Sequence, residues 1–355
     1  MSVLALRGGR VLTAAGWSTG DLVVDGDVIT AVGEADEVLD VTGCVVSPGL
    51  VDLHVHAAGG FPAQGPDADL TAMAVALAAG GVTSFLATAV SAPLVELTDL
   101  VRSTLPSTGA RCLGVHLEGP WLSPAAAGAQ PREHLQSVCV EDALALVGAG
   151  SVRVVTVAPD VPGALDLVRA LVSRGVRVSM GHSTASYAEC LAAIAVGATG
   201  VTHCFNAMSQ LSAREPGLVG AAMTQPGLLV EVIADGVHVH PAAVRALYDA
   251  KGPAGIALVS DGVEGCAGSD VLRRDGDVLR LHDGTLAGSA LPLSGAVRNA
   301  VSWGIPLEDA LAMASTTPAR SLGIDVWLTP GNRADVVVLD EDLHVRHVLV
   351  GGVVQ

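Results

Sequence analysis

Two histidines stand one residue apart in the stretch "PGLVDLHVHAAGG", at the end of an apolar run and just before a glycine pair. Because alternate residues of a β-strand face the same side of a sheet, His54 and His56 point their imidazoles toward the same place. Imidazole is the commonest protein ligand for a metal ion. Taken alone, the pair indicates either a metal site or two unrelated histidines at a strand end. Other residues of the chain distinguish these two interpretations.

Other ionisable residues follow short apolar runs in the same way. They are His116 and Glu118, His182, His203, Asp235 and His238, and Asp261. Burying so many such groups without a shared partner would cost roughly several kcal/mol, and histidine with carboxylate is a ligand set that suits zinc or iron. Glu118 lies in an otherwise apolar strand, where a carboxylate is costly unless a cation accompanies it. The sequence therefore predicts a metal site built from the ends of several strands.

The elements that would position these residues alternate along the middle of the chain. Eight apolar segments are typical of strands, at 50–56, 82–90, 112–120, 152–160, 176–183, 200–208, 228–236 and 255–262, and segments such as 68–81 and 184–198 are typical of helices. Repeated strand–helix units imply buried parallel strands, and eight of them predict a (β/α)8 TIM barrel with its catalytic groups at one rim. An open doubly wound sheet is the alternative. Its dinucleotide-binding form is disfavoured because no G-x-G-x-x-G follows the first strand.

The two ends of the chain differ from its middle. Residues 1–47 and 331–355 contain short strands separated by turns rich in Gly and Asp, without a helical pattern of useful length. We predict that these two segments together form one small β-sandwich domain and that residues 48–330 form the barrel.

The composition excludes several classes of function. The net charge of −17 argues against a nucleic-acid partner, because phosphate backbones need Lys and Arg. No uninterrupted run of about 18 apolar residues occurs, which argues against a membrane span, and the first residues lack the apolar core of a secretory signal. The six cysteines include no CxxC pair, so they predict neither a zinc ribbon nor a disulfide framework. A reducing, cytoplasmic compartment is consistent with this pattern.

A set of longer motifs makes the prediction more specific. The chain contains, in order, the blocks "HLEGPWLSP", "GHSTASY", "THCFNAMSQLSAREPG", "IADGVHVHP", "LVSDG" and "LAGSALPL". They resemble the signature blocks of the N-acetylglucosamine-6-phosphate deacetylases, a branch of the amidohydrolase superfamily. The resemblance runs from "PGLVDLHVH" to "GNRADVVVLD" and so covers nearly the whole chain.

The resemblance implies a divalent metal and its ligands. Zinc is the first choice, with iron, cobalt or manganese as alternatives, at one or two ions per subunit. Barrel hydrolases of this superfamily often bridge two metals with a carboxylated lysine from the fourth strand, but the only lysine here is Lys251, before strand eight, so Glu118 is the substitute. The implied ligands are Glu118, His182 and His203 at the principal site and His54 and His56 at a second site, with Asp261 as a further ligand.

The resemblance also implies how the substrate is bound and cleaved. A metal lowers the pKa of bound water toward about 7, and Asp261 would be the general base that takes a proton from this water and returns it to the leaving amine. His238 would act beside it, near the acetyl carbonyl and the sugar hydroxyls. The implied substrate-binding residues are Asn206, Ala207, Arg214, His238, Gln130, Ala287 and Gly288, with Arg214 on the phosphate.

Two features of the sequence leave more than one substrate in agreement with the motifs. Gln130 stands where the family usually has a substrate-contacting histidine, and Ala126 and Ala127 replace commonly basic positions. Arg214 alternatively forms a surface ion pair with an acid such as Glu215. The leading hypothesis is a deacetylase that converts N-acetylglucosamine 6-phosphate to glucosamine 6-phosphate and acetate, as a homodimer in which the neighbouring subunit completes the phosphate pocket. The alternatives are a deacetylase of another, even unphosphorylated, N-acyl amino sugar, and a metal-binding paralogue without catalysis.

Overall fold

A computed structural model of the chain describes residues 3–31, 34–103, 105–264 and 273–355. Within these ranges the chain forms one large and two small β-sheets, with helices between the strands of the large sheet. Strands are numbered β1–β23 and helices α1–α10 along the chain.

The large sheet is built on eight strands that pair in parallel in chain order. They are β8 (Leu50–Ala58), β10 (Val82–Ala89), β11 (Arg111–Glu118), β12 (Val152–Val157), β13 (Arg177–Met180), β14 (Gly200–Val201), β15 (Leu229–Ile233) and β16 (Ile256–Val259). The short strand β17 (Gly262–Val263) follows β16 almost directly and pairs in parallel with β8. The sheet therefore curls back toward its first strand, which is consistent with a TIM-like barrel.

The helices follow the strands of this sheet. They are α1 (Leu70–Ala79), α2 (Leu94–Arg102), α3 (Val140–Val147), α4 (Ala164–Ser173), α5 (Tyr187–Ala195), α6 (Gly217–Thr224), α7 (Pro241–Lys251), α8 (Leu293–Ser302), α9 (Leu307–Ala314) and α10 (Thr316–Ser321). Local sequence sets where they begin: Asp69 caps α1, and Ser186 with Glu189 forms a capping box on α5. Across the described ranges, no helix combines the length and apolar character that a bilayer crossing needs.

The predicted barrel strands are all present, and the helices predicted around 68–81 and 184–198 are α1 and α5. Every residue of β10 is buried, which explains why such strands are apolar throughout instead of alternating. Strand six is much shorter than predicted, because β14 ends at Val201. Beyond it His203, Phe205 and Ala207 have positive φ, a conformation in which a strand of L-residues cannot continue.

An antiparallel extension of the large sheet was not predicted. It consists of β18 (Arg273–Asp275), β19 (Val278–Arg280) and β20 (Leu286–Ser289), and it joins the barrel strands where Ser289 pairs with Gly262 of β17. A short strand β9 (Phe61–Pro62) pairs with the end of β8. The block "LAGSALPL" thus begins with β20, and the short strand β17 lies between it and β8, which carries the first two histidines.

One small sheet contains only strands from the beginning of the described chain, and the other combines strands from both ends. One contains β1 (Val3–Arg7), β4 (Leu22–Asp25), β5 (Val28–Thr30) and β6 (Glu37–Asp40), and the other contains β2 (Arg10–Thr13), β3 (Gly16–Ser18), β7 (Val45–Pro48), β21 (Val336–Leu339), β22 (Val345–Val350) and β23 (Val353–Val354). Strand β7 pairs in parallel with β2 and antiparallel with β21. One hydrophobic cluster contains side chains of both sheets, among them Leu6, Val24 and Val336.

Candidate metal centre and active site

The predicted metal ligands converge at the carboxyl ends of the barrel strands. His54 and His56 lie in β8, Glu118 is the last residue of β11, and His182, His203 and Asp261 each lie two residues after β13, β14 and β16. Six positions spread over more than half of the chain therefore meet because parallel strands of a curled sheet end at one rim. They form two groups, which we call the first trio (Glu118, His182 and His203) and the second trio (His54, His56 and Asp261).

The first trio is compact and buried. The Glu118 Oε1 atom lies 3.0 Å from His182 Nε2 and 2.8 Å from His203 Nε2. The two Nε2 atoms are themselves 3.1 Å apart. Less than a tenth of each side chain is exposed. One carboxylate oxygen and two ring nitrogens of nearly buried side chains thus face a common point.

The second trio lies against the first. His54 Nε2 and His56 Nε2 are 3.1 Å apart, and Asp261 Oδ1 is 3.4 Å and 3.3 Å from them. Glu118 connects the two trios, because its Oε1 lies 3.5 Å from His54 Nε2 and its Oε2 lies 3.3 Å from His56 Nε2. The carboxylate of Glu118 therefore contacts ligand candidates of both groups.

The hydrogen bonds behind the rings decide which nitrogens face the centre. His56 Nδ1 donates to the carbonyl of Thr88 at 3.2 Å, and His54 Nδ1 donates to Glu231 Oε2 at 3.2 Å. Carbonyl and carboxylate oxygens only accept, so both Nδ1 atoms carry a proton, and in the neutral rings both Nε2 atoms present lone pairs. Two such lone pairs 3.1 Å apart repel unless a proton or a metal cation lies between them. This donor set fits a metal ion, and outer hydrogen bonds of this kind are usual for metal-binding histidines.

The first trio shows the same arrangement at one of its two histidines. His182 Nδ1 donates to the carbonyl of Ala126 at 3.0 Å, which leaves its Nε2 for the centre. The buried Nδ1 of His203 has no hydrogen-bond partner within the described part of the chain. A metal ion at the first trio would therefore bind the His182 ring, which a hydrogen bond orients, and the His203 ring, which is held by packing.

The electrostatics of the centre are dominated by this mixture of acids and imidazoles. Burial alone raises the pKa of a carboxyl, but His54 and His182 hold the pKa of Glu118 well below its usual range. In the same way burial opposes ionisation of Asp261, and the nearby rings of His54 and His56 outweigh it and lower its pKa. Both carboxylates are thus ionised at neutral pH and are available as metal ligands or proton acceptors.

Backbone strain is concentrated at this site. His182, His203 and Asp261 have φ values of +46°, +28° and +47°, and Ala207 has +48°. This left-handed region is unfavourable for residues other than glycine, and such residues persist mainly where surrounding structure holds them in place. The turn after each strand therefore aims a functional side chain across the barrel mouth at the expense of local stability.

Three buried residues support the ligands, and two of them were missed in the sequence. Glu231 accepts from His54 as described above, and Asp52 accepts from the His54 backbone N–H at 3.2 Å. Burial raises the pKa of Asp52 to about 6. His116 lies against His54, with ring centroids 4.7 Å apart, and its Nε2 is 2.8 Å from Thr156 Oγ1. The available signal was an acid in the middle of each of the apolar runs "LVDLHVH" and "LLVEVIADG", namely Asp52 and Glu231.

A cavity of about 860 Å³ opens above the two trios. It is lined by five of the seven predicted substrate-binding residues, which are Gln130, Asn206, Ala207, His238 and Ala287. Gly288 is buried directly behind Ala287, and Arg214 is exposed in the loop before α6, outside this lining. No ion pair joins Arg214 to Glu215 in the part of the chain that the structure describes.

Gln130 is held firmly between the cavity and the metal ligands. Its Oε1 accepts from the backbone N–H of Ser91 at 2.8 Å, so its Nε2 must be the group that donates to Glu118 Oε2 at 2.6 Å. Only 6% of the residue is exposed. The amide therefore fixes the rotation of the Glu118 carboxylate, a contact that the sequence did not predict, and its role toward a substrate stays a prediction.

His238 is oriented from behind by a neighbouring acid. Its Nδ1 donates to Asp235 Oδ2 at 2.6 Å, which leaves Nε2 to interact in the cavity. The antiparallel extension closes another side of the cavity with Arg280, Leu281 and Leu286. Leu286 belongs to the block "LAGSALPL", whereas Arg280 and Leu281 were missed, because nothing in their local pattern indicates that the β18–β20 segment folds over the barrel mouth.

A comparison with known families identifies the family of the chain. A model of the amidohydrolase family matches residues 45–354, which include both trios and the cavity. The chain belongs to the amidohydrolase family. Members of this family are metal-dependent, in agreement with the converging ligand atoms described above.

Individual relatives assign this amidohydrolase to a branch of the family. It is 37% identical to the N-acetylgalactosamine-6-phosphate deacetylase of Escherichia coli O157:H7, over 98% of either chain. It is 36% identical to the N-acetylglucosamine-6-phosphate deacetylase of Bos taurus, over 98% of this chain and 92% of the relative. The predicted membership of the N-acetylglucosamine-6-phosphate deacetylases is confirmed.

Solved structures agree with this assignment. The crystal structure of N-acetyl-D-glucosamine-6-phosphate deacetylase from Mycobacterium smegmatis has a TM-score of 0.89 to this amidohydrolase at 34% identity and covers 100% of both chains. A mutant of that enzyme, solved in complex with N-acetyl-D-glucosamine-6-phosphate, has the same TM-score. The fold is thus that of the N-acetyl-D-glucosamine-6-phosphate deacetylase structures.

Proposed function

We propose that this amidohydrolase is a metal-dependent deacetylase that hydrolyses N-acetylglucosamine 6-phosphate to glucosamine 6-phosphate and acetate. The observation that carries the proposal is the buried carboxylate of Glu118, which contacts two histidines on each side beneath a large cavity. Relatives that match nearly the whole chain carry this activity in their names.

Glu118, His182 and His203 would hold the principal metal, and His54, His56 and Asp261 a second one. Nitrogen and carboxylate oxygen donors of this kind favour zinc, with iron, cobalt or manganese as alternatives. When bound, the metal supplies Lewis-acid chemistry: it polarises the amide carbonyl and makes water acidic enough to attack near neutral pH.

Asp261 would move the proton. Its carboxylate is ionised, buried and held beside both trios by the hydrogen bond from its backbone N–H to His54 O at 2.9 Å. It would accept a proton from the attacking water on a carboxylate oxygen and release it to the nitrogen of the departing amine, as a general base and then a general acid. Without that second transfer, the amine would have to leave as an amide anion.

His238 and the neighbouring loops would position the sugar. With Nδ1 tied to Asp235, His238 can turn only its Nε2 toward the substrate carbonyl or a hydroxyl. Asn206 and Ala207 follow β14 and line the same cavity, so their backbone would contact the sugar phosphate. Ala287, backed by Gly288, would form the wall against the acetyl methyl group.

Arg214 would complete the phosphate site from a second subunit. It is exposed and lies outside the cavity of its own protomer, although it belongs to a block typical of the family. A guanidinium free of protein acids is suited to bind phosphate in a bidentate manner. We therefore propose a homodimer in which the Arg214 side chain of one protomer reaches the phosphate in the other.

The domain division and location are also proposals. Residues 1–47 and 331–355 would form a small β-sandwich domain, supported by the hydrophobic cluster that the two small sheets share, and residues 48–330 would form the (β/α)8 barrel. The cysteines in the described ranges are free thiols, and Cys266 lies outside them. Free thiols suit a reducing compartment, which supports a cytoplasmic location.

The second candidate function is deacetylation of a different N-acyl amino sugar. It is favoured by the relative that acts on N-acetylgalactosamine 6-phosphate, and by Gln130, which replaces an ionisable side chain with an amide beside the cavity. The galactosamine sugar differs from the glucosamine sugar only in the configuration at C4. A catalytically inactive paralogue is disfavoured because Asp261 and both trios are intact.

One assay separates these candidates. The purified, metal-loaded protein is incubated in parallel with N-acetylglucosamine 6-phosphate, its galactosamine epimer and unphosphorylated N-acetylglucosamine, and acetate release is measured. The leading proposal expects the highest kcat/KM for the glucosamine phosphate. Preference for the epimer or for the free sugar would establish the second candidate, and a metal-loaded protein without activity on any of the three would overturn both.

A further inference from the structure

The cavity above the metal centre contains a cationic side chain that no part of the proposed function uses. Among the residues that the structure describes, Arg280 is the only lysine or arginine that lines the cavity. The same lining contains the acids Glu96, Glu118 and Asp261. Two of these acids are assigned to the metal centre in the proposed function, and Arg280 is the one arginine or lysine of the described lining that could attract a phosphate monoester.

The position of Arg280 is determined by strand pairing. Strand β19 pairs with β20, and β20 pairs with β17 through Ser289 and Gly262. The backbone N–H of Ser289 also donates to Asp261 O at 2.9 Å. Val278 and Leu279, the two residues before Arg280, are buried. The guanidinium is therefore carried on a sheet that is anchored beside the proton-transferring carboxylate.

The present partners of Arg280 leave it free to bind an anion. Its Nε donates to Asp275 Oδ2 at 3.3 Å, and its Nη1 donates to the carbonyl of Gly284 at 3.1 Å. The Asp275 side chain is 66% exposed, so this ion pair is weak and is easily exchanged. Further N–H donors on Nη1 and Nη2 remain available for an oxyanion.

The register of the extension adds an independent argument. Arg273 of β18 lies directly opposite Arg280 of β19 in an antiparallel pair. Like charges in such positions repel each other and destabilise the strands. An anion bound beside Arg280 would relieve this repulsion, whereas a purely structural role would be served better by a neutral or acidic residue opposite Arg273.

We propose that Arg280 contacts the phosphate group of the substrate within its own protomer and so determines specificity for the phosphorylated sugar. This inference rests on the proposed function. Arg280 of one subunit and Arg214 of the partner subunit would both contact the same phosphate group. Because Arg280 would bind a group remote from the reacting amide, it is a specificity residue and takes no part in bond breaking.

The test compares Arg280→Gln and Arg280→Lys with the matched control Arg273→Gln, which removes the facing arginine outside the cavity lining. Binding of glucosamine 6-phosphate and of glucosamine is measured by calorimetry, and kcat and KM are measured for N-acetylglucosamine with and without the phosphate. Arg280→Gln should weaken binding of the phosphorylated compound at least about tenfold, mainly through KM, and leave the free sugar unchanged. Arg280→Lys should recover part of the loss, and the control should lose much less affinity than Arg280→Gln, because Arg273 lies outside the described cavity lining.

Two results would overturn the inference: equal affinity of Arg280→Gln and wild type for glucosamine 6-phosphate, or a wild-type protein that does not distinguish glucosamine 6-phosphate from glucosamine. Thermal melting of each variant separates loss of binding from loss of folding. Failure of the proposed function gives a different result. In that case the wild-type protein cleaves no phosphorylated N-acetyl sugar, but the binding measurements with glucosamine 6-phosphate still show whether phosphate binding depends on Arg280.

Discussion

Replacing Gln130 by leucine should weaken metal binding although Gln130 is not a ligand. The amide of Gln130 donates to Glu118 Oε2 at 2.6 Å, while Ser91 holds the amide in the orientation that makes this possible. Leucine has a similar volume and keeps the site buried, but it removes both hydrogen bonds. The Glu118 carboxylate would then be free to rotate away from the arrangement in which its two oxygens face separate histidines.

The size of the effect follows from the lost contacts. A hydrogen bond to a charged group contributes about 1.5–3 kcal/mol, and each factor of ten in an equilibrium constant corresponds to about 1.4 kcal/mol. Loss of an outer-shell partner of a metal ligand typically costs about 10- to 100-fold in affinity. We therefore expect the dissociation constant for zinc to rise about 10- to 100-fold in Gln130→Leu.

The chain offers a matched control in Gln64→Leu. Gln64 lines the same cavity, and its Oε1 accepts from the backbone N–H of Val90 at 3.0 Å, the residue before Ser91. The control therefore leaves a neighbouring backbone N–H without its acceptor but does not touch Glu118. Both variants should lose some stability, since an unpaired buried N–H costs about 1–3 kcal/mol, but only Gln130→Leu should lose metal affinity.

The measurement is a zinc titration of metal-free protein against a competing chromophoric chelator, with thermal melting as the check of folding. The reasoning would be refuted if Gln130→Leu bound zinc as tightly as wild type, or if Gln64→Leu lost affinity to the same extent. In the first case the histidines alone would orient Glu118. In the second, the effect would come from the loop and not from the hydrogen bond.

Three further variants test the remaining assignments. Glu118→Gln should give a folded protein that is nearly free of metal, because both trios lose their shared charge; metal analysis of the purified variant checks this, and full occupancy with normal activity would contradict the assignment. Asp261→Asn should retain metal, since Glu118 and the histidines remain, and should lower kcat by about 10² or more; a wild-type kcat would mean that another group moves the proton. Arg214→Ala should cost about 1.5–3 kcal/mol of transition-state binding for the phosphorylated sugar and little for the free sugar, as judged by kcat/KM. Equal losses on both sugars would show that Arg214 is structural.

The sequence alone determined the elements and the types of ligand. Apolar runs that end in histidine or carboxylate predicted the barrel strands and the residues at their ends, because strand formation and the facing of alternate residues are local properties. Ordered motif blocks predicted the family, since together they cover nearly the whole chain. The same local reasoning overextended the sixth strand, because the positive φ of His203 depends on what surrounds it and not on its neighbours in the chain.

Only the tertiary structure decided which residues act together. His54 and Glu231 are separated by 177 positions, and Glu118 and His203 by 85, yet each pair is within hydrogen-bond distance. Such contacts exist because the sheet curls and brings distant strand ends to one rim, and a local pattern carries no information on that closure. The same holds for Gln130, whose partner Glu118 is a predicted metal ligand, and for Arg280, which the antiparallel extension places in a cavity lining that also contains three acids. Sequence thus supplied the chemical groups, while strand pairing across the barrel mouth determined the distances, orientations and charges that make them a site.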